Sequence, residues 1–200
     1  GDAQDVEAAV AAARAAFPAW SALPNSERGH WLRRLADALE AQLDDVARAE
    51  ARDGGKPVRL AREIEIPRAV SNLRFFADAA TQFSSESHHG EAGLNYTLRQ
   101  PLGTVGTISP WNLPLYLFTW KIAPALAAGN TVVAKPSEVT PHSATLLGEI
   151  AAEIGFPAGV LNIVHGRGPE VGEAIVAHPE VKAISFTGST AVGRRIAGIA

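Results

Sequence analysis

Gly103-Thr104-Val105-Gly106-Thr107-Ile108-Ser109-Pro110-Trp111-Asn112-Leu113-Pro114 opens the half of the chain that decides its fold. Thr104 to Ile108 reads as a strand, and Pro114 to Ala128 as a helix closed by Gly129-Asn130. The alternation then repeats. Thr131 to Ala134 is a β-branched strand. Thr140 to Gly155 is a helix with an apolar stripe at Leu146, Leu147, Ile150 and Ile154. Val160 to Val164 is a strand, Pro169 to Ala177 a helix, Val181 to Phe186 a strand, and a helix starts at Ser189. A βαβαβαβα order with short connections predicts an α/β fold, a parallel sheet with helices on its faces. Ligands of such sheets bind beyond the carboxyl ends of the strands. That rule singles out the loops 109–113, 135–138, 165–168 and 187–193.

Working back from this sheet, residues 1–93 read as a helical part and 94–200 as the parallel core. Asp5 to Trp20 carries Val6, Val10, Ala13 and Phe17 at helical spacing, and Pro18 is expected to end it. A second helix is expected from Ser26, as a cap, to Asp53, with Trp31, Leu35, Leu39, Leu43 and Val46 inward and Gly54-Gly55 as its stop. A third runs from Val58 to Phe83, with Ile64, Ile66, Val70, Leu73 and Phe76 near one face and Pro67 as a bend or break. No residue in these helices demands chemistry. Ser84 to Gly93 is polar and reads as an exposed loop.

Composition narrows the function classes. The 200 residues are 46% hydrophobic and 20% charged, a globular balance. A net charge of −3 gives no electrostatic argument for nucleic acid or an anionic membrane. The longest apolar run, 113–129, is interrupted by Pro114, Lys121 and Pro124, so no membrane span is expected. The absence of cysteine excludes, within these residues, disulfides, thiolate zinc and a cysteine nucleophile. With no methionine either, the sequence reads as a piece of a longer chain. It opens without a secretion signal, and a cytoplasmic location is expected. His88-His89 has no spaced partner and reads as solvated, so no metal is expected. Asn95-Tyr96-Thr97 matches a glycosylation acceptor but lacks the secretory context.

Four strand-end segments carry candidate chemistry, each with a structural alternative. Gly188-Ser189-Thr190 joins a strand to a helix start, where unpaired amides and the helix dipole suit a phosphate; Ser189 or Thr190 could equally cap the helix. Gly188 would let the ligand approach the backbone. Gly166-Arg167-Gly168-Pro169-Glu170-Val171-Gly172 is near the Gly-x-Gly-x-x-Gly fingerprint, with one extra residue before the last glycine and no acidic residue about 20 positions on. Lys135 and Glu138, three apart, can reach one ligand or form a solvated pair. A carboxylate there would accept from vicinal ribose hydroxyls and repel a 2′-phosphate. Pro110 and Pro114 bracket Asn112, whose carboxamide would be held either as an oxyanion donor or against local backbone groups.

Taken together, Gly103 to Asn112, Ala127 to Glu138, and Phe186-Thr187-Gly188-Ser189 resemble the aldehyde dehydrogenase superfamily. Ser109-Pro110-Trp111-Asn112-Leu113-Pro114-Leu115-Tyr116 is similar to its branch acting on aminomuconic and hydroxymuconic semialdehydes. The resemblance implies a modified Rossmann-type domain that binds NAD(P), and the Glu138 carboxylate favours NAD over NADP. It implies that Lys135 and Glu138 hold the adenosine ribose, that Gly168 and Gly172 line the adenine side, and that Ser189 contacts the pyrophosphate. Ser109, Pro110, Trp111, Ser137, Phe186, Thr187 and Val192 complete the cofactor surface it implies. Asn112 would donate to the thiohemiacetal oxyanion, and Lys121 is similar to a lysine that supports a proton relay. The family's cysteine nucleophile and glutamate base belong to segments beyond these residues. An aldehyde substrate and a homodimer or homotetramer are therefore expected of the whole protein. The alternatives are a nucleotide-binding or structural module without turnover, and an unrelated Rossmann dehydrogenase.

Overall fold

The computed structural model describes residues 1–200. Helix α1 (Ala3–Ala22) starts on a reciprocal cap: the Asp2 carboxylate accepts from Gln4 N at 2.8 Å, and the Asp5 carboxylate accepts from Asp2 N at 2.9 Å. Pro18 does not end it, because Trp20 anchors one more turn. The Trp20 ring is buried against Phe156, and its Nε1 donates to Leu126 O at 3.2 Å. Burial of an indole, worth about 3–5 kcal/mol when truncated, offsets the single backbone donor that proline removes.

The expected second helix is two: α2 (Asn25–Ala41) and α3 (Leu43–Gly54), broken at Gln42. Pro24, not Ser26, occupies the cap position, without a side-chain bond. The break lets α2 lie along α5 (Ile66–Gln82) while α3 turns onto α7 (His142–Glu153). Gly55, at φ +67°, supplies the left-handed stop. The short α4 (Val58–Leu60) enters α5 through a π-helical turn at Ala61–Glu65, with Pro67 in the first turn beyond it. The extra residue rotates the faces. Ile64, expected inside, is 47% exposed, and Glu65 is buried in its place.

The stretch read as a loop contains an exposed antiparallel hairpin, β1 (Ser87–Gly90) and β2 (Gly93–Tyr96), with Ser87 opposite Tyr96. It has no alternation of apolar and polar residues because neither face is covered. The boundary expected at 93/94 falls inside β2. The main core crosses that point, joining Leu32, Leu35 and Leu73 to Val132, Leu147 and Val160.

The sheet half matches expectation: β3 (Thr104–Ile108), α6 (Pro114–Ala127), β4 (Thr131–Lys135), α7, β5 (Leu161–Ile163), α8 (Glu173–Ala177), β6 (Val181–Phe186) and α9 (Thr190–Ala197). A second π-helical turn, Gly168–Gly172, leads into α8. The strands are all parallel, in the order β5-β4-β3-β6. The chain steps from β3 to β4 to β5, then returns to lay β6 on the other side of β3. That reversal opens a crevice between β3 and β6 at their carboxyl ends. Gly106 makes the packing there close: a Cβ would sit 2.6 Å from Ile175 and 2.7 Å from Ile184. On one face, α1 covers the sheet through Val6, Val10 and Ala13 against Val133 and Val164.

Candidate functional site

The four strand-end loops meet at one edge. Ser109 N donates to Lys135 O at 3.1 Å, and Thr187 N donates to Ile108 O at 3.2 Å. Thr140 Oγ1 donates to Trp111 O at 3.4 Å. Gly168 N donates to Glu138 Oε1 at 3.2 Å, tying the 165–168 loop to the 135–138 loop.

The β4 end is interlocked. Lys135 is 2% exposed; its Nζ donates to Glu138 Oε2 at 3.0 Å and to Pro136 O at 3.2 Å. Ser137 is buried, and its Oγ accepts from Val139 N at 3.2 Å. Partial burial pulls the Glu138 carboxyl upward. Its own backbone amide, Lys135 and the Gly168 N–H outweigh that and hold it below the usual carboxylate range. Glu138 is thus ionised and faces outward beside Gly168. Gly172 is buried with its Cα side toward Lys135, where an added Cβ would meet Cδ at 3.8 Å. Gly166, at φ +147°, packs so close that a Cβ would lie 2.3 Å from Val171. Beside this corner, Pro136, Glu138, Pro141, Thr145, His165 and Gly166 line a cavity of about 330 Å³. His165 Nε2 pairs with Thr145 Oγ1 at 3.2 Å. Burial, then the N-terminal charge and Lys135, hold its imidazole below the usual value.

The β3 end presents Asn112 and Trp111 to solvent, with Trp111 60% exposed and Pro110 half-buried. Ser109 is buried, and its hydroxyl has no partner within the chain. At the β6 end, Lys121 Nζ donates to Thr187 Oγ1 at 2.5 Å, and burial lowers the lysine pKa. Ser189 caps α9: its Oγ accepts from Val192 N at 3.3 Å. The capping alternative is therefore realised, and the Ser189 O–H remains available to donate. Gly188 also answers to a neighbouring side chain. A Cβ there would lie 2.4 Å from the Phe186 ring, so glycine is required by that ring. Val192 is exposed.

Three charged residues of the helical part were missed by sequence reasoning. Glu50 and Glu65 are buried, and Lys56 Nζ sits between them, 3.5 Å from Glu50 Oε1 and in contact with Glu65 Oε2. Lys56 also donates to Asn112 O at 3.5 Å, and Glu50 Oε2 accepts from Leu115 N at 3.1 Å. Burial, then the neighbouring Glu65 carboxyl, raises Glu50 to about 7, against the pull of the Ser143 hydroxyl, Lys56 and the Leu115 amide. The available signal was a carboxylate four residues after Val46, inside the apolar stripe. Asp53 Oδ2 accepts from His142 N at 2.8 Å, so α3 caps two helices of the sheet half.

The β4 corner fits an adenosine ribose. An ionised carboxylate has about four acceptor positions, and Glu138 uses two of them, for Lys135 and Gly168. The Lys135 ammonium has donors for about three bonds and spends two, on Glu138 and Pro136 O. Both retain capacity toward a pair of vicinal hydroxyls.

Fold and site together define a doubly wound α/β protein with its ligand crevice at the carboxyl edge of a parallel sheet. The profile of the "Aldehyde dehydrogenase family" matches residues 1–200. The chain is 55% identical over 197 residues to bovine (Bos taurus) 2-aminomuconic semialdehyde dehydrogenase, covering 96% of this chain and 40% of that relative. It is 49% identical over 199 residues to 2-hydroxymuconic semialdehyde dehydrogenase of Pseudomonas sp. (strain CF600), covering 96% of this chain and 41% of that one. Among solved structures, PnpE in complex with nicotinamide adenine dinucleotide superposes with a TM-score of 0.95 at 47% identity, covering 99% of this chain and 41% of that one. The NAD+ complex of a Bacillus cereus aldehyde dehydrogenase gives 0.96 at 41% identity, covering 99% and 41%. The chain belongs to the aldehyde dehydrogenase family, and it spans about 40% of the length of the curated relatives it matches.

Proposed function

We propose that these residues form the dinucleotide-holding part of an NAD-dependent dehydrogenase that oxidises a small semialdehyde to a carboxylic acid. The observation that carries this reading is the Lys135–Glu138–Gly168 interlock, an ionised carboxylate held open toward a sugar diol. Glu138 accepts from the 2′ and 3′ hydroxyls, and its charge repels a 2′-phosphate, which favours NAD over NADP. Lys135 donates to the same ribose. Gly168 and Gly172 leave the adenine side open, and the Ser189 O–H donates to the pyrophosphate while its lone pair caps α9. Ser109, Pro110, Trp111, Ser137, Phe186, Thr187 and Val192 contribute the remaining surface. Bound NAD supplies the hydride acceptor.

At the β3 end, the Asn112 carboxamide donates an N–H to the oxygen that becomes negative when a nucleophile adds to the aldehyde. Lys121, with its ammonium destabilised by burial and bonded to Thr187, is placed to hand on a proton in this crevice. The 200 residues contain no cysteine. The thiol nucleophile and the base that releases the acid are therefore assigned to other segments of the whole protein. The semialdehyde, a cytoplasmic location and a homodimeric or homotetrameric assembly belong to the same proposal, supported by the names of the relatives. The missing thiol favours a narrower role for this stretch taken alone: nucleotide binding without turnover.

The test is calorimetric titration of the whole protein with NAD and NADP, before and after Glu138→Gln. The substitution should weaken NAD roughly ten-fold, the worth of one charged hydrogen bond, and narrow the gap to NADP. Unchanged discrimination would remove Glu138 from the reading. The 200-residue chain should form no NADH from an aldehyde.

A further inference from the structure

The stretch carrying Asn112 is pinned at four points. Ser109 N is held by Lys135 O at 3.1 Å, and Trp111 O by Thr140 Oγ1 at 3.4 Å. Asn112 O is held by Lys56 Nζ at 3.5 Å, and Leu115 N by Glu50 Oε2 at 3.1 Å. The last two come from the helical part, one on the Asn112 carbonyl and one on the amide three residues further on. Lys56 is itself held by two buried carboxylates, Glu50 and Glu65. Two acids and one base sharing a closed site are costly to desolvate, and hydrophobic residues of similar volume would stabilise the fold as well or better. An arrangement that stability does not require, yet that ends on a proposed oxyanion donor, calls for a role in placing that donor.

We propose that Glu50, Lys56 and Glu65 form a positioning clamp that fixes the Asn112 backbone, so that its carboxamide meets the developing oxyanion. The π-helical turn at Ala61–Glu65 is what delivers the third member. It turns Glu65 inward, where a regular helix would have presented Ile64. The clamp acts on the β3 end only. Lys135, Glu138 and Gly168 are held by one another, so the grip on the adenosine ribose does not depend on it. None of the three residues is a catalytic residue; each acts through Asn112, and the inference rests on the oxyanion role proposed for that residue.

The experiment uses the whole protein, with NAD, a semialdehyde, and the variants Asn112→Ala, Lys56→Met, Lys56→Arg and the Lys56→Met/Asn112→Ala double. A displacement of about 1 Å at a reacting group is worth up to roughly a hundred-fold in rate. Lys56→Met should therefore lower kcat roughly ten- to a hundred-fold, while the Kd for NAD stays within about two-fold. Lys56→Arg should restore part of the loss. In the double variant, Lys56→Met should add almost nothing to Asn112→Ala, because there is no donor left to misplace. Multiplicative losses in the double variant, or a Kd for NAD that weakens in step with kcat, would mean a general structural role and would overturn the clamp. Normal turnover by Lys56→Met beside a slow Asn112→Ala would overturn the clamp alone. Normal turnover by Asn112→Ala would overturn the oxyanion reading, and the clamp with it. Should Lys56→Met fail to fold, Glu65→Gln keeps the shape and removes one charge. It should lower kcat several-fold at unchanged NAD affinity, and an unchanged kcat would overturn the proposal.

Discussion

Two clusters of lysine and glutamate lie on either side of the Ser109–Leu115 stretch, and they behave oppositely. At the β4 end, Lys135 is buried beneath one glutamate that is itself half-exposed and held below its usual pKa. Under α6, Lys56 is closed in by two glutamates, and one of them is raised to about 7. The residue types match; the accounting of acceptors does not. Glu138 has lone pairs left over and an open side. Glu50 spends its oxygens on Lys56 and Leu115 N with no open side. The same pair of side chains keeps bonding capacity for a ligand when one partner faces out, and spends it within the fold when both face in.

The comparison breaks most sharply on removal of the lysine. Lys56→Met leaves two interior carboxylates without their cation and should cost about 3 kcal/mol or more in denaturant unfolding. Lys135→Met leaves only the half-exposed Glu138 and should cost about 1 kcal/mol or less. The ranking reverses for ligand. Lys135→Met should weaken NAD roughly ten- to a hundred-fold by calorimetry, against the near-constant affinity expected for Lys56→Met.

Titration sharpens the contrast, since the two clusters should bend stability in opposite directions. Glu50 holds a proton in the folded chain that the unfolded chain releases near the ordinary value of 4.5. Its influence should therefore make stability fall as pH rises from about 4.5 to about 7. Glu138 is depressed, so its favourable contacts are present above the ordinary carboxylate pKa and are lost as pH drops below it. Thermal unfolding across this range should show the decline toward pH 7 flatten in Glu50→Gln and persist in Glu138→Gln. Persistence in both would remove Glu50 as its source. The smallest effect belongs to the exposed β6 end. Ser189→Ala removes the α9 cap, worth about 1 kcal/mol. On a helix with no buried residue, the loss should register as faster amide exchange at Val192 rather than as a lower midpoint.

The sheet half was legible because its signals are local. Thr131–Val133 is β-branched, Gly129 ends a helix, and two prolines frame Asn112. Each of these acts within a few residues of itself, and the four strand ends then converge because parallel strands must all point one way. Lys135 and Glu138 were readable for the same reason, being three apart. The helical part hid what depends on distant partners. Nothing near Pro18 announces that Trp20 reaches Leu126. The break at Gln42 exists because α2 and α3 have different neighbours, α5 and α7. Glu50 looks like any helix glutamate until Leu115 and Lys56 are brought to it. Gly188 was legible only in part: a glycine before a helix fits both an approaching ligand and an adjacent ring, and the ring of Phe186, two residues away, shows only in the fold.

The π-helical turn at Ala61–Glu65 makes this part of the chain sensitive to a single-codon deletion. Residues in a regular helix advance by about 100° each, so removing one residue from the turn would restore an even spiral and swing everything before it by that angle. Ile64 would then find shelter and Glu65 would meet water. A chain shortened in this way should gain helical regularity while surrendering one of the two carboxyl groups that steady Lys56. A one-residue gap at this place in any aligned relative would mark a protein that secures its Asn112 counterpart by other means.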